Sequence, residues 1–381
     1  MPERVTTRRL LVATVGLATV LTPTPAAAEA AAGVGATELP TYTYVDLGPL
    51  GRLPDGRSFS EAATVNAAGV VAGLSTTSRP GYSLHATVWT GGVPQDLGTL
   101  TGTAYSSSQA HDLTDAGVVV GATHVDATDP MHAFVYRDGV MSDLGTGFGA
   151  GSGSVATGVN DAGVVVGWRY QKQGAPHRGV VWRDGEMIEI GSLGGSAGPW
   201  GTLSVANAIN NHGQVVGAAA TPDGPLHGFV WQDGVLRDLG TLGGATESTT
   251  ANDINDQGQV VGQSQDGQGR TRAFLWRDGD LRDLGGLAGQ QSSAANGVNE
   301  AGQVVGSAWS AVDPPNNHAV LWTDGTIVDL NEQVPGLPSS VTLRSAQDIN
   351  DDGLIVGTAC PVPCHLGGDR EQRGFLLTPV G

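Results

Sequence analysis

Four histidines share one sequence setting. His85, His132, His227 and His318 each open an apolar run that ends on an aromatic residue, as in His132-Ala133-Phe134-Val135-Tyr136. An imidazole so placed can serve as a general base or a metal ligand. Three further runs of the same pattern begin instead with Arg178, Arg272 and Arg373. A guanidinium stays protonated and has no lone pair to offer. What the two side chains share is N–H donation, so the position reads as a structural donor to a carbonyl or to a nearby Asp. The carboxylates repeat as well. Asp46, Asp96, Asp143, Glu189, Asp238, Asp283 and Asp329 each begin a triplet of the Asp-Leu-Gly kind, and a residue so repeated reads as a turn or strand-edge acceptor.

Another polar set lies one or two residues after a recurring alanine: His111, Asp112, Asn207, Asn252, Asp253, Asn296, Gln347 and Asp348. If those segments converge on an axis, these side chains line a central channel, where Asp and Asn oxygens can hold water or a structural Ca2+. No EF-hand-like spacing is present, so the expectation is no metal and no cofactor, that ion being the one exception. Cys360 and Cys364, the only cysteines, are expected to form a short-loop disulfide. The chain has no Gly-x-Ser-x-Gly elbow, no His-Glu-x-x-His and no phosphate loop. Aromatic residues outside the repeated positions are Trp168, Trp200 and Trp309, with Arg169 and Tyr170 beside the first. Aromatics with arginine suit contacts to a sugar or a protein. These five residues are the candidate ligand-binding set.

The elements that must position these residues come from the repeat itself. The acidic residue of the Asp-Leu-Gly-like motif recurs at steps of 50, 47, 46, 49, 45 and 46 residues. Between its copies run two other motifs in fixed order. One is Ala-x-x-apolar-Asn-x-x-Gly followed by a Val-rich run, with its Ala at 62, 110, 156, 206, 251, 295 and 346, and with Thr114 replacing Asn in the second copy. The other is the His/Arg-led run, whose aromatic is Trp89, Tyr136, Trp182, Trp231, Trp276 and Trp322, and Leu377 in the last copy. Each unit holds four strand-like pieces and tight turns such as Asp278-Gly279. Four antiparallel strands in 40–50 residues is the grammar of a propeller blade. Seven units predict an all-β, seven-bladed β-propeller. The chain opens on a lone fourth strand at 44–48 and closes on a third strand at 373–381, so the N-terminal strand is expected to join the last blade and close the ring. In such a ring the small Ala belongs nearest the axis, and the large Trp fills the gap between blades. The loops after each second strand and between blades vary, whereas the other turns are uniform. The variable loops share one face, which is the candidate binding surface.

Composition agrees. The chain has 381 residues, 59 of them Gly, with 39% hydrophobic and only 15% charged residues. That mix suits short strands and turns. Arg4, Arg8 and Arg9, the apolar stretch 10–21 and the small residues of 25–30 read as a signal peptide over 1–28. A short linker follows over 29–41, then one propeller over 42–381. Ordinary secretion is the first expectation, and the Arg pair in 6–11 also fits twin-arginine export. No later segment is apolar enough to anchor the chain. A net charge of −18 disfavours nucleic acid and anionic membrane as partners. A monomeric, secreted, extracellular protein is expected.

The His132-Ala133-Phe134 triplet, the Trp276-Arg277-Asp278-Gly279 turn and the Asp-Leu-Gly-Thr-Leu-Gly-Gly run at 238–244 resemble the HAF repeat family of extracellular repeat proteins. The resemblance covers residues 42–381. It implies secretion and tandem repeats, and it carries over no catalytic residue. The leading functional expectation is a non-catalytic binding scaffold for a protein or glycan, acting through the variable loop face. The alternative is an extracellular polysaccharide lyase or glycoside hydrolase with its site at the channel mouth.

Overall fold

Two residues three apart cannot share one face of a regular strand, because successive side chains alternate. Yet every repeat buries both its Ala and the apolar residue three positions on, as with Ala62 and Val65, Ala251 and Ile254, and Ala346 and Ile349. The computed structural model resolves the conflict with a β-bulge. In all seven first strands the pairing register slips between the Ala and the residue two further on. One extra residue is left unpaired there and its side chain is re-aimed. The described residues are 39–380, apart from 54, 80–83, 104–105, 126–129, 173–174, 197–202, 311–312 and 362–371. The proposed signal peptide and all but the end of the proposed linker lie outside them.

The bulged strands are the first strands of seven four-stranded antiparallel sheets. Six blades are contiguous in sequence: blade 1 spans 60–96, blade 2 108–143, blade 3 153–189, blade 4 204–238, blade 5 249–283 and blade 6 292–329. Blade 7 is composite. Its strands Val341–Ile349, Ile355–Pro361 and Arg373–Val380 are completed by Thr41–Leu47 from the other end of the chain, which pairs antiparallel with Arg373–Val380. The ring is therefore closed as the sequence predicts, and the propeller occupies Pro40–Gly381. The only helical element among the described residues is one 3-10 turn, Leu330–Glu332, between blades 6 and 7.

The hydrophobic core is divided into seven clusters, most of them spanning two neighbouring blades. Trp231 of blade 4 packs with Val166 and Val181 of blade 3, and Trp89 of blade 1 with Val356 of blade 7. The aromatic of the third strand is thus the inter-blade filler. Fully buried Phe134, Phe229, Phe274 and Phe375 stand two residues earlier in their runs or at the matching place. The turn chemistry also follows the sequence. Asp138, Asp184, Asp233, Asp278 and Asp324 have φ near +50°, and the glycine after each is also at positive φ, the two-residue hairpin geometry that Asp-Gly favours.

The bulge places a strict demand on the second strand. The carbonyl before each first-strand Ala points at the glycine that closes the Val-Val-Gly run. A Cβ on Gly262 would lie 2.1 Å from the Thr250 oxygen, and the same distance is 2.0 Å at Gly73, Gly167, Gly217, Gly306 and Gly357. No side chain fits there. Around Gly279, in the Asp-Gly turn, nothing lies within 4 Å of such a Cβ, and only its φ of +95° opposes a side chain. We therefore expect Gly262→Ala to cost about 3 kcal/mol and Gly279→Ala about 1 kcal/mol. Thermal unfolding of the two variants checks this; equal shifts in Tm would refute the role given to the bulge.

Candidate functional site

The residues expected to line the channel sit on and beside the bulge, and their partners show what they do. At the unpaired bulge position, His111 Nδ1 lies 2.8 Å from the Ala156 oxygen of the next blade. Thr157 Oγ1 donates to Ala206 O at 2.9 Å. Asn207, Asn252 and Asn296 donate through Nδ2 to Ala251 O, Ala295 O and Ala346 O, at 2.7, 2.8 and 2.8 Å. The amides therefore tie each inner strand to the next one. Gln347, at the same position of blade 7, reaches only Ser345 Oγ at 3.3 Å.

The carboxylates one residue further on act in the same direction. Asp112 accepts from its neighbour Leu113 N at 2.8 Å and, across the blade junction, from Val159 N at 2.8 Å. Asp253 does so from Ile254 N and Val298 N, at 2.8 and 2.9 Å. Asp348 accepts from Ile349 N, Val65 N and Thr64 Oγ1, at 2.7, 2.9 and 2.9 Å. Burial pushes Asp112 and Asp253 up to about 7, and the negative field of Asp348 adds to the rise in both. Asp348 is raised by burial too. No group of three or more His, Cys, Asp or Glu suited to a metal is found among the described residues.

The turn asparagine both closes its own turn and reaches the next blade. Asn66 Oδ1 accepts from Ala68 N and Val70 N, at 3.1 and 2.9 Å. Its amide then donates to Thr114 O of the next blade at 3.3 Å. The same bond runs from Asn160 to Asn210, Asn210 to Asn255, Asn255 to Asn299, Asn299 to Asn350 and Asn350 to Asn66. Six of seven steps form a belt around the channel mouth. The step from blade 2 to blade 3 is missing because Thr114 has no amide to donate, and Asp112 bridges that junction instead. The mouth is a funnel of about 300 Å³, lined by these asparagines and by Asp112, Asp253 and Asp348.

The histidines of the third strand are structural donors. Nδ1 of His85, His132 and His227 lies 2.7, 2.9 and 2.9 Å from Asp96, Asp143 and Asp238 on the adjoining fourth strand. Arg178 and Arg272 make the same pairing to Glu189 and Asp283, at 3.2 and 3.0 Å. The acceptor also closes its own turn: Gly98 N, Gly145 N, Gly240 N and Gly285 N each donate to it at 2.7 Å.

The aromatic candidates divide. Trp168 and Tyr170 project from one face of blade 3, with ring centroids 6.0 Å apart, and His177 of the opposing third strand stacks on Trp168 at 4.4 Å. All three are half-buried. Arg169 points from the other face. Its guanidinium caps the Phe148 ring at 4.0 Å, donates to Thr146 O and pairs with Glu189 at 2.7 Å, so it does not belong to the patch. Trp309 is half-buried on blade 6, which is not adjacent to blade 3, and forms no joint site with Trp168. Trp200 lies outside the described residues. Cys360 is buried and disulfide-bonded, while Cys364 falls outside the described residues. His177 escaped the sequence reading because it precedes the repeat position held by Arg178. Its ring, 5.7 Å from that of Tyr170, comes there only once the strands pair.

No protein-family profile matches the chain, and no curated protein sequence is significantly similar to it. Solved structures do match. A puromycin-hydrolysing peptidase of Mycobacterium tuberculosis aligns over 84% of this chain and 53% of its own, with a TM-score of 0.51 and 14% identity. A prolyl endopeptidase aligns over 83% and 46%, with a TM-score of 0.51 and 11% identity. A lectin of Aleuria aurantia covers 74% and 97% at 14% identity, but its TM-score of 0.40 lends it no weight. This chain spans about half the length of the two peptidases. At such identities the likeness establishes the fold alone. No described helix is long and apolar enough to cross a membrane.

Two predictions follow from the belt and its carboxylates. Thr114→Asn supplies the missing donor to Asn160 O and is expected to stabilise the protein by about 1 kcal/mol, read from denaturant unfolding; no gain would argue against the belt. The second concerns pH. Asp112 and Asp253 hold a proton in the folded state up to about 7, well above the value of an unfolded Asp. Their contribution is complete at low pH and is lost as pH rises through that value. His318, held protonated above its ordinary range by Asp329, loses its contribution in the same direction. Burial pushes Asp329 up, but His318 and Asn331 together outweigh it and hold the carboxyl low, so its contribution is lost in acid. The Tm should therefore peak near pH 5, and Asp112→Asn with Asp253→Asn should flatten the decline from pH 5 to 8, whatever the absolute Tm.

Proposed function

We propose that this protein is a secreted member of the HAF repeat family and acts as a non-catalytic binding scaffold for a glycan or protein. The observation that carries this reading is the Trp168–Tyr170–His177 patch. In Trp168's place the other blades have Leu74, Ala122, Ala218, Gln263, Ser307 and Thr358, so the patch is peculiar to blade 3. It stands where the second strand leaves and the third strand enters, on the variable-loop face. Stacked aromatic faces offer apolar area that a sugar ring or a side chain can cover. The peptide-cleaving activity of the peptidases with this fold is theirs, and no catalytic group has been carried over from them.

The alternative is an enzyme at the channel mouth, and it draws on Asp112, Asp253 and Asp348, whose raised proton affinity suits general-acid work. Each of these carboxylates already accepts from its own neighbour and from the next blade, which favours the structural role. Trp168→Ala and Tyr170→Ala, compared with wild type on a glycan array and against extracellular extracts, are expected to weaken the captured ligand at least tenfold while Tm changes little. Unchanged binding in both variants would overturn the assignment of this patch. Hydrolysis or elimination of a polysaccharide that is abolished by Asp253→Asn would support the enzyme instead.

A further inference from the structure

The opposite, uniform face carries a recurring cavity. Between blades 2 and 3 lies a groove of about 490 Å³ lined by Val135, Arg137, Val140, Ser142, Trp182 and Glu186, among others. Its counterpart between blades 4 and 5 measures about 550 Å³ and is built from the matching positions: Val230, Gln232, Val235, Arg237 and Trp276. A fourth strand supplies one wall, the turns of the following blade supply the other, and the inter-blade Trp forms part of the floor. These volumes fall in the range of small-molecule sites.

The first groove also carries charge. Among the described residues Arg137 has no ion-pair partner, and its guanidinium lies over Gly163 of the next blade, 3.3 Å from where a Cβ would stand. Trp182 is 7% exposed, and its indole N–H has no acceptor among the described residues. In blade 1 the corresponding Trp89 donates to Gly48 O at 2.8 Å, whereas in blade 3 the matching Gly145 O accepts from Ser154 Oγ at 2.8 Å. Trp322, in front of Gly285 and Ser293, repeats the pattern. Val140, 62% exposed, keeps an apolar surface at the rim. Asp184 and Glu186 stand across from Arg137 as acceptors.

From this arrangement we propose that the groove between blades 2 and 3 is a binding site for a neutral pyranose unit, and that the groove between blades 4 and 5 is its second copy. The apolar wall covers the C–H face of the ring. Arg137 and Ser142 donate to ring or hydroxyl oxygens, and Asp184 and Glu186 accept from hydroxyls. Charges of both signs in one groove disfavour an anionic or cationic ligand, because either would meet a like charge on desolvation. The inference is independent of the Trp168 patch, which lies on the other face.

A panel of neutral methyl α- and β-pyranosides, titrated into the full chain by saturation-transfer NMR and calorimetry, tests the proposal. Two sites per chain are expected, with at least tenfold weakening at the site between blades 2 and 3 by Arg137→Ala and by Ser142→Tyr, which fills that groove, while the second site is retained. Trp168→Ala should leave binding at both sites unchanged. No binding at 20-fold excess over a millimolar Kd, or binding lost in Trp168→Ala but kept at both sites in the two groove variants, would overturn it. Capture of a peptide strand along the outer edge Val140–Asp143 in place of the sugars would overturn it as well.

Discussion

The bulge after each first-strand alanine is the constraint on which the rest depends. It turns one backbone carbonyl onto the second strand, so only glycine fits at the seven closing positions of the Val-Val-Gly runs. It frees one residue per blade from pairing and aims it sideways. Because the strands converge on an axis, sideways means toward the next blade, and in blades 2 to 6 that residue becomes a strut, whereas blade 1 has Ala63 and blade 7 Gln347 at the position. It also restores the alternation broken by the Ala-x-x-apolar spacing, so both apolar residues enter the core. One backbone irregularity, repeated seven times, thus sets the inner packing and much of the inter-blade hydrogen bonding together.

The junctions are held redundantly, and the sequence departs from its own pattern where a second device is present. Blade 2 lacks the belt asparagine and has Asp112 bonded across to Val159. Blade 7 lacks an effective bulge strut, since Gln347 stays within its own strand, and has Asp348 bonded to Val65 and Thr64. The carboxylates are desolvated by this duty, which raises their proton affinity. A perturbed carboxylate in a cleft is often catalytic. Here the backbone N–H bonds on both oxygens provide a structural reason for its presence.

Uniform turns do not make an inert face. The sequence directs attention to the variable loops, and the Trp168 patch lies on a strand that leads into one of them. The grooves lie on the other face because blades of fixed shape, set side by side, leave the same gap each time. Repetition of the scaffold repeats the cavity, and only the few side chains bordering it, such as Arg137 against Gln232, differ from copy to copy.

Much of the architecture was legible in the residues. The period of the motifs fixes seven blades, the lone N-terminal fourth strand fixes the mode of closure, and the exchange of His for Arg identifies a structural donor. Even the bulge leaves a trace, since buried residues three apart are incompatible with a plain strand. Tertiary structure alone decided where the polar inner-strand residues point. His111 and the asparagines, candidates for a channel lining, each bond to a carbonyl of the next blade's inner strand. It also decided that Arg169 leaves the aromatic patch, since alternate residues of a strand face opposite ways, and that His177 joins it. A local sequence determines periodicity and turns, whereas the partner of a side chain is set by a neighbour 40 to 50 residues away, and only the closed ring supplies that neighbour.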